Sequence, residues 1–335
     1  MIRFRPAFAG SIVVAGLLAV AVCANGGGRR DRVTVWVLTK DGCSIEGETE
    51  LGTLRIETEG KVRDLGPGEV LTVETAGPAS ETEQARISAD LTVVAADKDR
   101  AARETAVAEL TDIGMPVLSP LLALYKDTDR HEPQPLMRLF PRIIPGHADR
   151  LDRTLDMVRL ANGEALRGHV TGSDLKIAET GGSASVPFST VRRIAVRRKS
   201  IDRTFDVDAL RHCTPLEFLD SGVAVSPASR IEETAQGVVR LSFDIDGWSS
   251  DADGIKVPGP NYKTNLVDGY PFGSLVGRVG PAGPRWLAGR HIQKNGFQRG
   301  RLYFAVNDNG HWQNNIGSFR IHLRATDAYD LGEPQ

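Results

Sequence analysis

The feature that most constrains the fold is an internal repeat. Residues 37–73 align without a gap on residues 158–194, at a constant offset of 121 residues. Both segments carry G-x-x-[IL]-x-G followed by L-x-I, with apolar residues at alternating positions and glycine between them. Alternation with a period of two, broken by glycine, is typical of short strands joined by tight turns.

Each copy also carries a favoured hairpin dipeptide. Asp41-Gly42 occurs in the first copy and Asn162-Gly163 in the second, and such pairs favour two-residue hairpin turns. The repeat therefore predicts two small β-barrel-like modules, over 33–75 and 155–200.

The period changes between the two copies. Ala102, Ala106, Leu110 and Ile113 follow one another at helical spacing, and Gly114 with Pro116 ends that pattern. A second apolar stripe, with Val117, Leu121, Leu122 and Tyr125, comes directly after the break. We expect a short HEAT-like helical hairpin within a helical segment over 81–152, packed against the β modules because one such unit cannot bury its own apolar face.

The last part of the chain is again rich in strand patterns. Residues 237–248 alternate apolar and polar side chains, and so do residues 319–323. Residues 302–306 are apolar at every position, as in a strand buried on both faces. With glycine and proline dense between these runs, residues 206–335 are predicted to form one β-sandwich, so the fold class is mainly β.

The N-terminus has the pattern of an export signal. Arg3 and Arg5 precede the uncharged stretch 7–24, which ends in small residues. We expect a signal peptide over 1–24 with cleavage before Asn25, and hence a periplasmic, cell-surface or secreted protein. The alternative is an N-terminal membrane anchor formed by residues 7–24, because the stretch reaches about the 18 residues that spanning requires.

Composition narrows the function classes. The net charge of -2 gives no general attraction to nucleic acid. Outside the signal only Cys43 and Cys213 remain, which could pair but lack the spacing of a zinc site.

No GxSxG elbow, HExxH helix or phosphate-binding loop occurs, so no catalytic residue is assigned. Glu217 and Asp220 are interpreted as residues of a strand edge or linker rather than as a glycosidase pair.

One loop concentrates oxygen-bearing side chains. Residues 306–319 read VNDNGHWQNNIGSF, between two apolar strand patterns. Calcium takes about 6–8 oxygen ligands from carboxylates, amides and carbonyls, so a hard-metal site is possible here. The alternative is ordinary turn chemistry, since Asn and Gly are also the residues of tight turns. Asp251 and Asp253 form a second acidic turn that could lie at the same end of the sandwich.

The segments "YPFGSLVGRVG" and "GRLYFAVNDNGHWQNNIGSF" resemble the PA-I-type galactophilic lectin family, also called LecA-like, over roughly residues 236–325. The resemblance implies a small β-sandwich that holds calcium and binds a sugar through it. By position, the side-chain ligands would be Asp308, Asn314 and Asn315, and the backbone ligands would be the carbonyls of His311 and Asp251.

The resemblance does not extend to the identity of the sugar. The galactose-contacting His and Gln of the family have no clear counterpart, and the corresponding region reads PGPNYKTNLVDG. Tyr262 of that region, together with Asn309 and Trp312 of the loop, are the candidate ligand-binding residues. Trp312 would either stack on a sugar or pack on the edge of the sandwich.

Three functions remain open at this point. The first is an exported, non-enzymatic protein whose C-terminal module binds calcium and a glycan or sugar-bearing surface. The second is an envelope scaffold with protein partners, in which calcium only stabilises the loop. The third is a hydrolase that uses a lectin-like module for targeting, with His311 or Asp308 required for activity.

Overall fold

The computed structural model describes most of the chain after residue 31: residues 32–96, 99–126, 136–137, 139–143, 154–179, 182–214, 218–241, 248–255, 269–308 and 315–334. Antiparallel strands dominate these residues, and the expected fold class, mainly β with a sandwich in the C-terminal part, is confirmed.

Each copy of the repeat forms five strands. The first copy contains β1 Val33–Thr39, β2 Ser44–Thr49, β3 Leu54–Thr58, β4 Lys61–Leu65 and β5 Val70–Glu74. The second contains β6 Asp156–Leu160, β7 Ala165–Thr171, β8 Leu175–Glu179, β9 Gly182–Val186 and β10 Val191–Arg198.

The two copies exchange strand partners instead of forming separate modules. β1 pairs with β10 and β5 with β6, while β2 pairs with β8 and β3 with β7. β5 and β10 pair about the central partners Val73 and Ile194, which are equivalent positions of the two copies. The register shift between β1 and β10, at Leu38 and Thr39, recurs between β6 and β5, at the equivalent Arg159 and Leu160. The ten strands of the two copies therefore form one shared sheet, called the barrel from here on, with an internal twofold relation.

The apolar core of the barrel is shared in the same way. Val35, Ile56, Leu175 and Ile194, drawn from both copies, are buried in one cluster. Because strands from one copy complete the sheet of the other, each copy depends on its partner copy for burial of its own apolar face.

The described residues between the two copies in sequence form three long helices. They are α1 Glu81–Ala96, α2 Arg100–Ile113 and α3 Leu118–Lys126, and a one-turn helix, α4, follows at Phe140–Ile143. The expected hairpin corresponds to α2 and α3, and α1 packs on α2 as an additional helix. Gly114 ends α2 with φ of 73°, a conformation that favours glycine.

A buried ion pair fixes α1 to the barrel. Arg192 on β10 donates to both carboxylate oxygens of Glu83, at 2.9 Å from Nε and 2.5 Å from Nη2. Nη1 of the same arginine donates to the carbonyl oxygens of Thr75 and Gly77. Because both charged groups are buried and joined by two hydrogen bonds, the pair fixes the position of α1 relative to β10.

Within the described ranges, no single helix is long and apolar enough to cross a membrane. The helical stretches Ala102–Ile113 and Met115–Lys126, which are bent by 111° at their junction, reach the required length and composition only when taken together.

The remaining strands form the sandwich. They are β11 Ile201–Asp208, β12 Leu219–Val225, β13 Arg230–Gln236, β14 Val239–Arg240, β15 Ser249–Ser250, β16 Leu275–Val279, β17 Arg285–Leu287, β18 His291–Asn295, β19 Gly300–Val306, β20 Ile316–Thr326 and β21 Ala328–Asp330. One sheet has the order β17-β16-β19-β12-β21, and the other has β18-β13-β20, with β11 and β14 also paired to β20.

The strand patterns of the sandwich are confirmed where the structure describes them. All residues from Leu302 to Val306 are buried, and Phe319, Ile321 and Leu323 face the core. Of the predicted strand in 237–248, Val239–Arg240 is a strand and residues 242–247 lie outside the described part. The opening strand begins at Ile201, before the expected boundary at 206, because its whole length pairs with β20.

The sandwich and the barrel share one continuous sheet. β21 pairs with β12 on one side and with β10 on the other, through Arg197 with Tyr329 and Arg198 with Ala328. Tyr329 and Arg197 also donate hydrogen bonds to the carboxylate of Glu46 on β2. The last strand of the chain therefore joins the two β units.

Candidate functional site

The structure describes part of the predicted calcium site. Asp308, Asn315 and Asp251 are among the described residues. Asn309, His311, Trp312 and Asn314 of the loop, and Tyr262 of the preceding region, lie outside them. The described part of the site therefore comprises the two ends of the loop, where β19 leaves the sandwich and β20 enters it.

Asp308 follows the last residues of β19 and is 1% exposed. The Thr214 hydroxyl accepts a hydrogen bond from the Asp308 amide at 2.9 Å and donates one to its carbonyl at 3.0 Å. Thr214 is itself bonded to β19, because its amide donates to the carbonyl of Val306 at 2.8 Å. The backbone of Asp308 is thus held in place before the loop begins.

Asn315 closes the other end of the loop and is 4% exposed. Its Nδ2 donates to the carbonyl of Ala209 at 3.0 Å and to Oδ2 of Asp308 at 2.6 Å. Both neighbours are acceptors, which settles which amide atom is nitrogen. Oδ1 of Asn315 is buried and has no hydrogen-bond donor among the described residues.

A buried acceptor without a donor destabilises the folded state. Burying a polar atom without a hydrogen-bond partner costs about 1–3 kcal/mol of folding free energy, because the atom is hydrated in the unfolded chain. The amide that carries this oxygen is bonded through Nδ2 to the buried Asp308 carboxylate, and a cation in contact with Oδ1 would satisfy that oxygen. Oδ1 of Asn315, which has no donor among the described residues, is therefore the observation that favours a hard metal ion at this end of the sandwich.

Asn307 has a supporting position that the sequence did not assign. Its Nδ2 donates to the carbonyls of Tyr270 and Pro271, at 3.2 and 3.1 Å. Its backbone amide donates to the carbonyl of Ser274, and its carbonyl accepts from Gly273. Asn307 thus ties the end of β19 to the segment that leads into β16. Thr214 and Ala209 were likewise not assigned, because they lie about a hundred residues away in sequence.

The second acidic turn lies at the same end of the sandwich. The carbonyl of Ala252 accepts from the amide of Leu275, and the carbonyl of Ser274 accepts from Asn307, so the turn connects to the loop through two consecutive residues. The carbonyl of Asp251 accepts hydrogen bonds from the Ser250 hydroxyl at 2.7 Å and the Gly254 amide at 3.0 Å. A carbonyl has two lone pairs, so ligation by Asp251 would require release of one of these bonds.

The carboxylates of this turn are engaged by an arginine. Oδ1 of Asp253 accepts from the backbone amide of Arg290 at 2.8 Å, and Oδ2 accepts from its Nε at 2.6 Å. The backbone hydrogen bond, with help from the guanidinium, lowers the pKa of Asp253 below its usual range. This ion pair is exposed, so its contribution to stability is small.

The donor set at the loop consists of oxygen atoms. Carboxylate, amide and carbonyl oxygens favour hard cations such as calcium over zinc or copper. Among the described residues, no group of three or more His, Cys, Asp or Glu side chains could hold a metal ion. A calcium site here would therefore depend on amide and carbonyl oxygens for most of its ligands.

Asp220, considered above with Glu217 as an alternative site, has structural contacts in the sandwich. Asp220 is buried, with Oδ2 bonded to Arg301 at 2.8 Å and Oδ1 to the amide of Gly222 at 2.8 Å, while Glu217 lies outside the described residues. Cys43 is exposed and Cys213 is buried, and no disulfide joins them.

The chain shows a limited likeness to proteins of known structure. No family model matches the chain, and no curated protein matches it. Among solved structures, the N-terminal domain of EclA, described as a PllA-like lectin, aligns at 22% identity over 37% of this chain and 96% of that one, with a TM-score of 0.27. That overlap is too loose to establish a shared fold.

Proposed function

We propose that this is an exported, non-enzymatic protein whose C-terminal sandwich binds calcium at the Asp308 and Asn315 end and, through it, a carbohydrate. The observation that carries the proposal is the buried Oδ1 of Asn315, which has no donor within the described part of the chain, while Nδ2 of the same side chain is bonded to Asp308. The resemblance of the loop to the LecA-like pattern supports the same site.

The side chains of Asp308 and Asn315 would hold the ion at the two ends of the loop. Asn314 would add a third side chain, and the carbonyls of His311 and Asp251 are the proposed backbone ligands. Bound calcium would supply a centre that neighbouring sugar hydroxyls can coordinate directly. Asn309, Trp312 and Tyr262 are proposed to contact the glycan.

The calcium proposal is tested by calorimetry on the whole mature chain after removal of divalent ions. The whole chain is needed because β21 and the ion pairs of β19 connect the sandwich to the rest of the molecule. We expect binding that is lost in Asn315→Ala and strongly weakened in Asp308→Asn. The control is Asp253→Asn, which removes an exposed carboxylate already engaged by Arg290.

Thermal unfolding separates loss of a ligand from loss of the fold. Added calcium should raise the Tm of the wild-type protein, because a ligand that binds only the native state stabilises it. The same addition should leave the Tm of a folded Asn315→Ala variant unchanged. Equal calcium affinity in wild type and both site variants would overturn the calcium proposal.

The carbohydrate proposal is tested by titrating neutral monosaccharides and polysaccharides onto the calcium-loaded protein. Binding that disappears on chelation would support it. Calcium binding without any glycan response would instead favour the envelope scaffold, in which the ion only stabilises the loop. The export proposal predicts that the chain leaves the cytoplasm and that residues 1–24 are absent from the mature protein, or retained if they act as an anchor.

A further inference from the structure

A buried carboxyl group lies inside the sandwich. Glu233 is the middle residue of β13, and it lies between Ile231 and Ala235, which both belong to the apolar core. It is in register with Ile292 of β18 and Leu323 of β20. Neither of its carboxylate oxygens has a hydrogen-bond partner among the residues that the structure describes. Ionising this group inside the sandwich therefore requires a counter-charge.

The neighbouring strand carries a cation on its core-facing side. β18 alternates exposed and half-buried residues, and Lys294 is one of the half-buried ones, opposite Ile231 in register. Its ammonium lies 5.3 Å from the ring centroid of Trp286 and 5.9 Å from that of Phe297, and both rings are buried. Lys294 therefore lies on the same side of the sheet as Glu233.

Lys294 is a diagonal neighbour of Glu233 across the β13–β18 pair. Glu233 lies opposite Ile292, and Lys294 follows two residues later on the same face. Diagonal neighbours in an antiparallel pair are about 7–8 Å apart, a separation that long side chains can span. The ammonium lies over the two rings and not beside the carboxylate, whose oxygens are unpartnered within the described ranges. A change of rotamers is therefore enough to bring the two charges together.

Other ionisable groups near β13 are not placed to supply this counter-charge. Arg203 of β11 also faces the core, but Leu323 lies between it and Glu233 in register. The guanidinium of Arg203 already bonds the Asp330 carboxylate at 2.8 Å and two backbone carbonyls. The thiol of Cys213 is in the core cluster at the loop end of the sandwich. The remaining charged or histidine side chains of β13, β18 and β20 alternate to the other face of the sheet: Arg230, Glu232, His291, Arg320, His322 and Arg324.

The charged side chains on the described strands of the opposite sheet point away from the core. Arg278 of β16 and Arg301 of β19 both bond carboxylates of α2, which lies outside the sandwich. Asp220 of β12 bonds Arg301 on that same side. Arg285 of β17 lies over the ring of Phe218, which belongs to a separate cluster. Lys294 is therefore the cation best placed to reach Glu233.

We propose that Glu233 and Lys294 form a pH-dependent switch inside the sandwich. While Glu233 is protonated, the ammonium of Lys294 stacks on the two aromatic rings. When the carboxyl group loses its proton to solvent, the ammonium leaves the rings and pairs with the carboxylate. Because β18 is the outermost described strand of its sheet, the switch changes the side-chain contacts that hold this edge.

The two states differ in which partner the ammonium has. A cation over an aromatic face is attracted by the ring without being neutralised. A buried carboxylate attracts the same cation much more strongly, because an unpaired charge in the interior is very costly. Burial raises the pKa of Glu233 to about 8, so the change of partner is expected near that pH.

The test is NMR of the full chain with isotope-labelled methyl groups on its lysines, across the pH range in which Glu233 titrates and after removal of divalent ions. The Lys294 signal is identified by its absence in Lys294→Met. At low pH the ring currents of Trp286 and Phe297 should shift this signal away from those of exposed lysines. We expect it to move to the position of exposed lysines near pH 8.

Three variants separate the switch from other titrations. Glu233→Gln keeps a neutral group and should leave the Lys294 signal shifted by the rings at every pH. Glu232→Gln removes an exposed carboxylate of the same strand and should preserve the transition. Lys294→Met removes the counter-charge and should raise the pH at which Glu233 ionises by about one unit, a tenfold change in its ionisation constant. Urea unfolding across a pH series measures that shift, as the pH at which the loss of stability levels off.

Several outcomes would overturn the proposal. One is a Lys294 signal that stays in place while Glu233 ionises. Another is a transition that persists in Glu233→Gln, because a different group would then be responsible. A third is an unchanged ionisation pH in Lys294→Met, which would show that the two charges do not interact. The result is independent of the calcium proposal, because no measurement requires a bound ion.

Discussion

Gly47 on β2 lies so close to the carbonyl of Ala178 on β8 that a Cβ at this position would be 2.2 Å from that oxygen. The equivalent glycine of the second copy, Gly168, stands in the same relation to the carbonyl of Glu57, at 2.1 Å. The second glycine of the repeated G-x-x-[IL]-x-G motif is therefore required where a strand of one copy meets a strand of the other.

Gly47→Ala and Gly168→Ala should each destabilise the barrel by a similar amount. The obstructing atom is backbone, which cannot rotate away, so the strands must separate at a cost of about 1–3 kcal/mol. Urea unfolding of the two variants measures this loss. Gly182→Ala is the control, because a Cβ there would meet nothing within 4 Å. A loss confined to one of the two positions would argue against the twofold relation.

Glu233 predicts a pH dependence of stability. It is 0% exposed, neither carboxylate oxygen has a hydrogen-bond partner in the ranges that the structure describes, and burial raises its pKa from 4.5 to about 8. Between these values the unfolded chain is ionised while the folded chain keeps its proton. Stability should therefore fall as pH rises through this window, by about 1.4 kcal/mol per pH unit.

The dependence can be isolated with one substitution. Glu233→Gln mimics the protonated carboxyl and should remove this component of the slope, leaving the variant more stable than wild type above pH 8. Urea unfolding across a pH series measures it. Glu232→Gln, on the exposed face of the same strand, should leave the slope nearly unchanged. An identical slope in wild type and Glu233→Gln would contradict the assignment.

Asp112 on α2 connects the barrel to the sandwich. Its Oδ1 accepts from Nη1 of Arg193 at 2.9 Å and from Nε of Arg301 at 2.7 Å. Asp112→Asn leaves two largely buried guanidinium groups short of a counter-charge, and such losses cost about 3–5 kcal/mol. Thermal or urea unfolding should show this loss. Asp64→Asn, which removes an exposed partner of Arg55, should cost less than about 1 kcal/mol.

Thr214 offers a test of the calcium site that leaves every proposed ligand in place. Thr214→Val removes the hydroxyl that bonds both backbone groups of Asp308, so the carboxylate loses its orientation. Groups that orient metal ligands typically contribute about 10–100-fold to affinity, and we expect a calcium affinity reduced by about tenfold. Thr214→Ser keeps the hydroxyl and should retain affinity. Equal affinities in the two variants would show that Thr214 does not position the site.

Much of the fold could be predicted from the sequence because its signals are local. The uninterrupted apolar run at 302–306 and the alternation in 319–323 predict strands, and Gly114 with Pro116 marks the end of a helix. The two ends of the candidate site were assigned on the same basis, since Asp308 and Asn315 lie in one short loop. Thr214 and Ala209 carry no such signal, because a single hydroxyl or carbonyl is recognisable only once the chain brings it near.

The repeat and its spacing by themselves determined that this chain builds two sets of short antiparallel strands, since alternation and glycine turns act within a few residues. Only the tertiary structure decided that Val73 meets Ile194 and that β21 joins the barrel to the sandwich. Both a closed module and an exchange of strands between copies satisfy the same pattern. The choice between them rests on long-range packing and on a glycine that a neighbouring carbonyl can approach, and neither is encoded within one strand.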